Sequence, residues 1–334
     1  MRERNAHKQG KQKHAGDGLI RRVLVTGGSG FIARALLSQR TPGIEYIVAS
    51  RRQLEVGQWT WRRSPDLGPA ADWKSILAGA DCVIHLAGRA HLPPDADPAP
   101  YFTENFEGTA KLAHDAIDSG IKRFVYVSTA KVLGDESGDE PLAENSTPRP
   151  GDPYAASKYA AEQALAALGG DMTITILRPP LVYGPGVKAN FRALLSAVDR
   201  GVPFPLASIK NRRSLIGVDN LASAILACLG SEAAAGRTFH VTDGASISTP
   251  ALIRALAVAL DRPAALFGFP PRILELFGSM LGRGETVKRL TRSLELDDRA
   301  IRNELLWRTP FTFEEGIAGT AHWYQTLSAD TARP

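Results

Sequence analysis

The stretch from 20 to 37, IRRVLVTGGSGFIARALL, constrains the fold of this chain more than any other. The largely apolar segment Ile20 to Val25 runs into Thr26-Gly27-Gly28-Ser29-Gly30, and Phe31, Ile32, Ala35 and Leu36 then gather on one side of a periodic stretch. This order predicts a buried strand, a tight glycine turn and a helix packed back on the sheet. Gly27 opens a turn geometry closed to residues with a Cβ, and Gly30 lets a pyrophosphate approach backbone N–H groups at the helix N-terminus. Ala33, the third small residue, still permits close packing of helix on strand. The expectation is a dinucleotide site around Gly27, Gly30, Phe31 and Ile32.

The first half keeps this alternation. Further strands are predicted at Ile44 to Ser50, Trp59 to Arg62, Cys82 to Leu86, Arg123 to Ser128 and Thr173 to Leu177. Helices are predicted near Ala71 to Ala78, within Pro98 to Ser119 and at Pro153 to Leu168. Such a succession implies an α/β body, a mostly parallel sheet with helices on both faces. Ligands of such sheets sit beyond the carboxyl ends of strands, so Gly27 to Gly30, Ala87 to Arg89 and Thr129 should converge. From Arg178 the rhythm changes, because RPPLVYGPGVKANF is too rich in Pro and Gly for a helix interior. Short strands at Ser214 to Val218 and Thr238 to Val241 follow, with helices at Phe191 to Asp199, Asn220 to Leu229, Pro250 to Leu260, Pro271 to Leu281 and Phe313 to His322. The expected division is a basic disordered tail (1–18), a dinucleotide-binding core (19–180) and a smaller C-terminal substrate lobe (181–330) with excursions back to the core.

Composition bounds the class. With 334 residues, 44% of them hydrophobic, the chain can bury a sizeable core. No window approaches the ~20 apolar residues of a membrane span. The opening MRERNAHKQGKQKHAGDG is basic and polar, has no apolar leader segment and supplies much of the formal charge of +5. A solvated extension is the expected reading, ahead of contact with nucleic acid or a membrane. Cys82 and Cys228 lie in apolar segments and fit small core residues of a reducing, cytoplasmic compartment. No group of His, Asp, Glu and Cys has metal-site spacing.

At the end of the second strand an NAD site usually places Asp or Glu against the ribose hydroxyls, whereas this chain has Ser50-Arg51-Arg52. A hydroxyl and a planar guanidinium suit a 2′-phosphate, so NADP(H) is expected over NAD(H). The chemistry is expected in two distant pieces, Ser128-Thr129 and Tyr154-Ala-Ala-Ser-Lys158. A spacing of four puts Tyr154 and Lys158 on one helical face. Lys158 can hold a ribose hydroxyl and, as a cation, favour the phenolate of Tyr154, whose ordinary pKa of about 10 is high for proton transfer at neutral pH. The Thr129 hydroxyl can hydrogen-bond a substrate oxygen beside it.

These blocks closely resemble the extended short-chain dehydrogenase/reductase family that acts on nucleotide sugars, with a Rossmann-like core. TGGSGFIA, HLAG, NFEG, VSTAKVLG, YAASK and RPPLVYGPG occur in the family order, and LLWRTPFTFEEGI resembles its usual ending. The resemblance implies Thr129, Tyr154 and Lys158 as catalytic residues and a homodimer paired through the long helices after strands four and five. It places Asp66-Leu67 near the adenine and adds Leu86, Ala87, Gly88, Ser128 and Pro180 to the cofactor lining. It also implies that Asn190 contacts the UDP and Arg213 its diphosphate. Arg212 adjoins Arg213; Lys288, Arg289 and Arg292 form either a second cationic contact or a solvated helix face. Family dehydratases carry Asp-Glu after the catalytic Thr, where this chain has Ala130-Lys131, so dehydration is not expected. Many family epimerases carry Asn where this chain has Leu181. PPLVYGPGVKANF with SIKNRRSLIGVDN resembles the branch that reduces a UDP-linked 4-keto-6-deoxy amino sugar to UDP-N-acetyl-D-quinovosamine, a unit of some O-antigens. NADPH-dependent reduction of this kind is the leading expectation, and UDP-sugar 4-epimerisation is the alternative.

Overall fold

The computed structural model describes residues 21–331 apart from 40, 55, 56, 94, 281 and 283, so the expected tail at 1–18 lies outside the described residues. The strands are β1 (Arg22–Thr26), β2 (Glu45–Ser50), β3 (Trp59–Arg63), β4 (Cys82–His85), β5 (Arg123–Val127), β6 (Thr173–Arg178), β7 (Leu181–Tyr183), β8 (Leu215–Gly217) and β9 (Thr238–His240). The helices are α1 (Phe31–Ser38), α2 (Lys74–Leu77), α3 (Ala99–Tyr101), α4 (Gly108–Asp118), α5 (Pro153–Ala166), α6 (Ala189–Asp199), α7 (Val218–Gly230), α8 (Thr249–Ala259), α9 (Pro271–Met280), α10 (Gly284–Thr291), α11 (Arg299–Glu304) and α12 (Phe313–Thr331).

Seven strands form one parallel sheet in the order β3-β2-β1-β4-β5-β6-β9. Its strands are rich in β-branched residues, which pack well on a pleated surface. Both faces are buried. Val23 and Val25 join Leu36, Leu221, Ile225 and Trp307 on one face, under α1 and α7. Leu24, between them, joins Ile47, Trp73, Leu112 and Leu165 on the other, under α4 and α5. Val23, Leu24 and Val25 are fully buried, each worth ~1.5–3 kcal/mol of transfer free energy, so one acidic substitution in β1 would disrupt the sheet at its centre. A third cluster, with Tyr183, Phe191, Leu195, Ile253, Leu256 and Ile317, packs α6, α8 and α12 around the parallel pair β7–β8.

The expected α/β fold is therefore present, with local departures that have physical causes. The helix expected over Ala71 to Ala78 is the single turn α2, because the Trp73 ring is fully buried and its backbone amide donates to Asp115 Oδ2 at 3.2 Å. The long helix within Pro98 to Ser119 contains a wider π turn, Phe102–Glu107, between α3 and α4. There Asn105 is buried and donates to Arg89 O and Ser157 Oγ, both at 3.0 Å. A widened turn often re-aims a side chain in this way. Strand β7 was not anticipated, since Leu181–Tyr183 lies inside the Pro- and Gly-rich stretch RPPLVYGPG, and α10 and α11 were likewise unassigned.

The chain leaves β1 in one direction to β2 and β3, and resumes on its other side with β4, β5 and β6. The crevice for a ligand in such a sheet lies where this order reverses, beyond the carboxyl ends of β1 and β4.

Candidate active site

At that reversal the glycine turn meets the loop after β4. Gly27 has φ +70°, and a Cβ there would lie 2.8 Å from Ala87 N and 2.9 Å from Ala87 Cα. A Cβ on Gly30, the N-cap of α1, would lie 2.9 Å from Gly27 O. Thr26 Oγ1 accepts from Leu86 N and Ala87 N at 3.3 and 3.2 Å, which fixes the second loop against the first. With its lone pairs so engaged, the Thr26 hydroxyl donates to His85 Nδ1 at 2.7 Å, and His85 Nε2 donates to Thr109 Oγ1 at 2.9 Å. His85 is thus a buried strut under the site. Asn105 Oδ1 stands 2.8 Å from where a Gly88 Cβ would be. Phe31 faces Gly186, and Ile32 is half-buried.

At the other side of the crevice, Ala130 N donates to Pro179 O at 2.8 Å, which brings buried Pro180 beside the end of β5. Ser128 Oγ is buried there with no hydrogen-bond partner. A side-chain-free glycine cradle and an unpaired buried hydroxyl on the same crevice fit a bound dinucleotide, whose phosphates and polar groups would meet them.

The adenosine end differs from expectation. Ser50 is buried, and its hydroxyl donates to Arg52 O at 2.6 Å while accepting from Trp61 Nε1 at 3.0 Å. Arg51 is exposed, 3.8 Å from equally exposed Asp66, and Leu67 packs on Gly108. A cavity of about 1120 Å³ opens here, lined by Gly28, Ser29, Arg34, Arg51, Arg52 and Trp59.

The chemistry-bearing groups converge at the ends of β5 and the start of α5. Asp152 caps α5, its Oδ1 accepting from Ala155 N at 2.7 Å, and Pro153 supplies the first helical residue without losing a needed donor. This cap sets Tyr154 on the first turn and Lys158 one turn later. Thr129 opens a tight 3₁₀ turn, Ala130–Leu133, and lies within hydrogen-bonding reach of Tyr154. Burial pushes the Tyr154 phenol up to about 12, against the Thr129 hydrogen bond, with Asp152 and Tyr101 adding to the rise. Burial lowers Lys158 to about 7, with Glu162 opposing. Its ammonium donates to Val127 O at 2.8 Å and lies 4.3 Å from the Tyr126 ring centre. The sequence suggested a Tyr154 phenolate favoured by Lys158; in this structure desolvation dominates both groups, and the tyrosine is raised.

Arg213 is half-buried between Ile247 and Leu294, with its Nη1 donating to Arg292 O at 3.1 Å. Burial lowers its pKa, Asp135 opposes this and Arg289 reinforces it. Among the described residues no carboxylate lies within ion-pair distance of it, whereas Arg212 is taken by Glu295 (2.6 Å), Lys288 by Glu285 (2.9 Å) and Arg292 by Glu136 (2.6 Å). Asn190 is exposed on the first turn of α6, just after Ala189 at φ +51°. His91 is exposed.

Sequence reasoning missed Asp152, Lys131 and Tyr101. The Lys131 ammonium pairs with Asp152 and sits 3.4 Å from Asp135. Tyr101 stacks at a tilt on Tyr154, with ring centres 5.8 Å apart. The Asp-Pro pair ahead of Tyr154 was a readable helix-start signal; the other two contacts span too many residues to leave one.

A parallel sheet with a glycine cradle at its reversal, and beside it half-buried Tyr154 with buried Lys158 one turn on, defines the class, a dinucleotide-dependent oxidoreductase. The chain belongs to the NAD dependent epimerase/dehydratase family, whose model matches residues 23–242. It is 38% identical over 308 residues to UDP-glucose 4-epimerase from Vibrio cholerae, covering 90% of this chain and 94% of that one. A second UDP-glucose 4-epimerase, from Mycolicibacterium smegmatis, is 28% identical over 330 residues, 92% of this chain and 99% of its own. Among solved structures it resembles MoeE5 in complex with UDP-glucose and NAD, at a TM-score of 0.74 and 25% identity over 92% of this chain and 99% of that one. The protein is an NAD(P)-dependent nucleotide-sugar oxidoreductase.

The NADP(H) expectation is overturned. MoeE5, 25% identical to this chain, is solved with NAD bound. The Ser50 hydroxyl that was to meet a 2′-phosphate already donates to Arg52 O and accepts from Trp61 Nε1, while Arg51 lies exposed 3.8 Å from Asp66. Among the described residues no helix is long and apolar enough to cross a membrane.

Proposed function

We propose that the chain is a UDP-hexose 4-epimerase that retains NAD through its cycle. The observation that carries this reading is the 38% identity to the Vibrio cholerae UDP-glucose 4-epimerase over 94% of that protein's length. The likeness to nucleotide-sugar proteins reaches as far as UDP-linked sugars; the finer expectation of 4-keto reduction toward quinovosamine has less support than its epimerase alternative. Dehydration is disfavoured because Ala130 and Lys131 stand where family dehydratases carry Asp and Glu: the first has no proton to give, and the second is an ammonium held by carboxylates.

Bound NAD would supply a hydride acceptor and donor at C4. Tyr154 takes the C4 hydroxyl proton and later returns it, while Thr129 Oγ1 holds the C4 oxygen. Gly27, Gly30 and the Ser128 hydroxyl hold the dinucleotide, and Lys158 would exchange its Val127 carbonyl for a ribose hydroxyl. Such a contact would return Lys158 to the polar surroundings that favour its charge, and thereby lower Tyr154. Arg213, a guanidinium with no carboxylate of its own, grips the diphosphate, and Asn190 meets the uridine side. A tethered diphosphate lets the hexose turn over without leaving. A homodimer paired through α4 and α5 is part of this reading.

The test is to denature the purified protein, quantify released dinucleotide, and incubate the native protein with UDP-glucose or UDP-N-acetylglucosamine without added cofactor. An epimerase releases close to one NAD per chain and brings the sugar to a mixture of C4 epimers with no net change in NADH absorbance. Turnover that requires stoichiometric reduced cofactor and a 4-keto sugar would replace this reading with the reductase.

A further inference from the structure

We propose that Lys131 is a positioning residue: through Asp152 it ties the end of β5 to the N-terminus of α5 and offsets the carboxylate charge that caps the helix bearing Tyr154. The inference rests on Tyr154 as the proton-transferring group. Three contacts carry it. Lys131 N donates to Thr129 Oγ1 at 3.3 Å, so the residue is locked to the substrate-orienting hydroxyl through its own backbone. The Lys131 ammonium reaches Asp152 Oδ2, on the cap of the helix that bears Tyr154. Asp152 Oδ1 meanwhile accepts from Ala155 N at 2.7 Å, so both carboxylate oxygens are engaged and the group cannot swing away.

The surroundings show why a cation is needed. Burial alone would raise the Asp152 pKa; the Lys131 ammonium and the Ala155 amide outweigh it, with Arg289 assisting, and hold the group ionised. An ionised carboxylate two residues from Tyr154 disfavours the phenolate. Other groups facing the phenol do not replace Lys131. Lys158 on the same helix donates to Val127 O here and is common to every variant compared below, Tyr101 from α3 is itself a phenol that raises Tyr154, and Thr129 is neutral. Of the charged groups on neighbouring elements, Glu104 on the π turn is matched by Arg89 and Arg178 on β6 by Glu162 at 2.6 Å. Asp135, from beyond the 3₁₀ turn, competes for Lys131 at 3.4 Å. A partly buried pair at this depth interacts more strongly than in water, and loss of one partner leaves the other's charge unopposed.

The test follows Tyr154 ionisation directly in the NAD-loaded protein, as the tyrosinate difference absorbance between each protein and its Tyr154→Phe version. It is read at one fixed alkaline pH at which a thermal melt shows every variant folded. Lys131→Met should lower the ionised fraction about 3- to 10-fold, the counterpart of a shift of roughly half to one pH unit. Asp152→Asn, which keeps a capping oxygen, should raise it by a similar factor. The double variant should return above Lys131→Met, and Lys131→Arg should match the parent. The alkaline limb of kcat should move the same way, with KM for the UDP-sugar little changed. An unchanged ionised fraction in both Lys131→Met and Asp152→Asn, or a double variant no better than Lys131→Met, overturns the proposal. Because ionisation is read without turnover, this outcome is separate from failure of the acid–base reading, which would show as normal turnover in Tyr154→Phe.

Discussion

The two ends of the crevice are built on opposite principles. At the dinucleotide end the selective surface is backbone and empty space: Gly27, Gly30 and Gly88 each stand where a Cβ would overlap a neighbour. At the end proposed to meet the sugar it is charge: Lys131, Asp152, Arg213 and Arg289 come from four separate segments, and Lys131 pairs with Asp152. Shape made by missing side chains is local and tolerates no addition. Charge assembled over long range is instead tuned by its neighbours, so the same fold can keep its cofactor while its sugar changes.

This contrast is open to experiment. The largest effect should come from chemistry itself: Tyr154→Phe is expected to lower turnover ~10²- to 10⁴-fold with NAD content unchanged, read by steady-state assay and dinucleotide release. Normal turnover would remove the tyrosine from proton transfer. Next comes the steric end. Gly27→Ala meets both a left-handed backbone and a Cβ 2.8 Å from Ala87 N, and should weaken NAD binding by ~2–4 kcal/mol, roughly 30- to 1,000-fold by calorimetry. A parent-like Kd there would mean that the turn relaxes and that shape is not what selects.

Arg213→Ala should act through charge. If Arg213 grips the diphosphate as proposed, KM should rise ~10- to 150-fold, equivalent to ~1.5–3 kcal/mol, with kcat little altered, because such a contact is equal in ground and transition states. Arg213→Lys should recover part of the loss, since charge is retained without the planar fork. A drop in kcat at constant KM would instead place the guanidinium at the reacting centre.

The smallest effect concerns pH and two buried histidines of the sheet, His85 on β4 and His240 on β9. Burial, then Lys158, pushes His85 down to about 3; burial, then Arg178, pushes His240 down to about 4. Both folded values lie below the unfolded one, so as pH falls past ~6.5 the unfolded chain takes up protons that the folded chain refuses. Stability is full above that pH and declines toward the folded values, by about 1.4 kcal/mol per pH unit for each histidine at most. Tm should therefore fall between pH 7 and 5, and His240→Gln should flatten the slope. A flat Tm over that range in the parent would show that the histidines protonate in place.

The dinucleotide end was legible because its determinants are contiguous: glycine spacing, a strand before it and a helix after it all lie within 20–37. Tyr154 and Lys158 were legible as a pair for the same reason. Ser50 misled because its type suggested a free hydroxyl, and only the fold reveals Trp61 and the Arg52 carbonyl closing on it. The Lys131–Asp152 pair left no signal, being separated by a loop whose path depends on the rest of the molecule. Asn105 sits in a quoted motif, yet its aim depends on one widened helical turn.

Strand β9 carries a consequence for how the protein is made. It docks on the outer side of β6, with Ile176, Leu177 and Arg178 facing Thr238, Phe239 and His240. The face above β1 is closed by α7 and by Trp307, later still. When β6 leaves the ribosome, the nascent sheet thus has a bare hydrogen-bonding edge and an uncovered apolar face. Roughly sixty more residues must emerge before β9 can seal that edge, a delay of about 3–12 s at ordinary elongation rates. During that interval the chain is a substrate for chaperones and for edge-to-edge association with sister chains on the same message. Slow translation between β6 and β9 should lower the yield of active protein, whereas a similar pause after α12 should not.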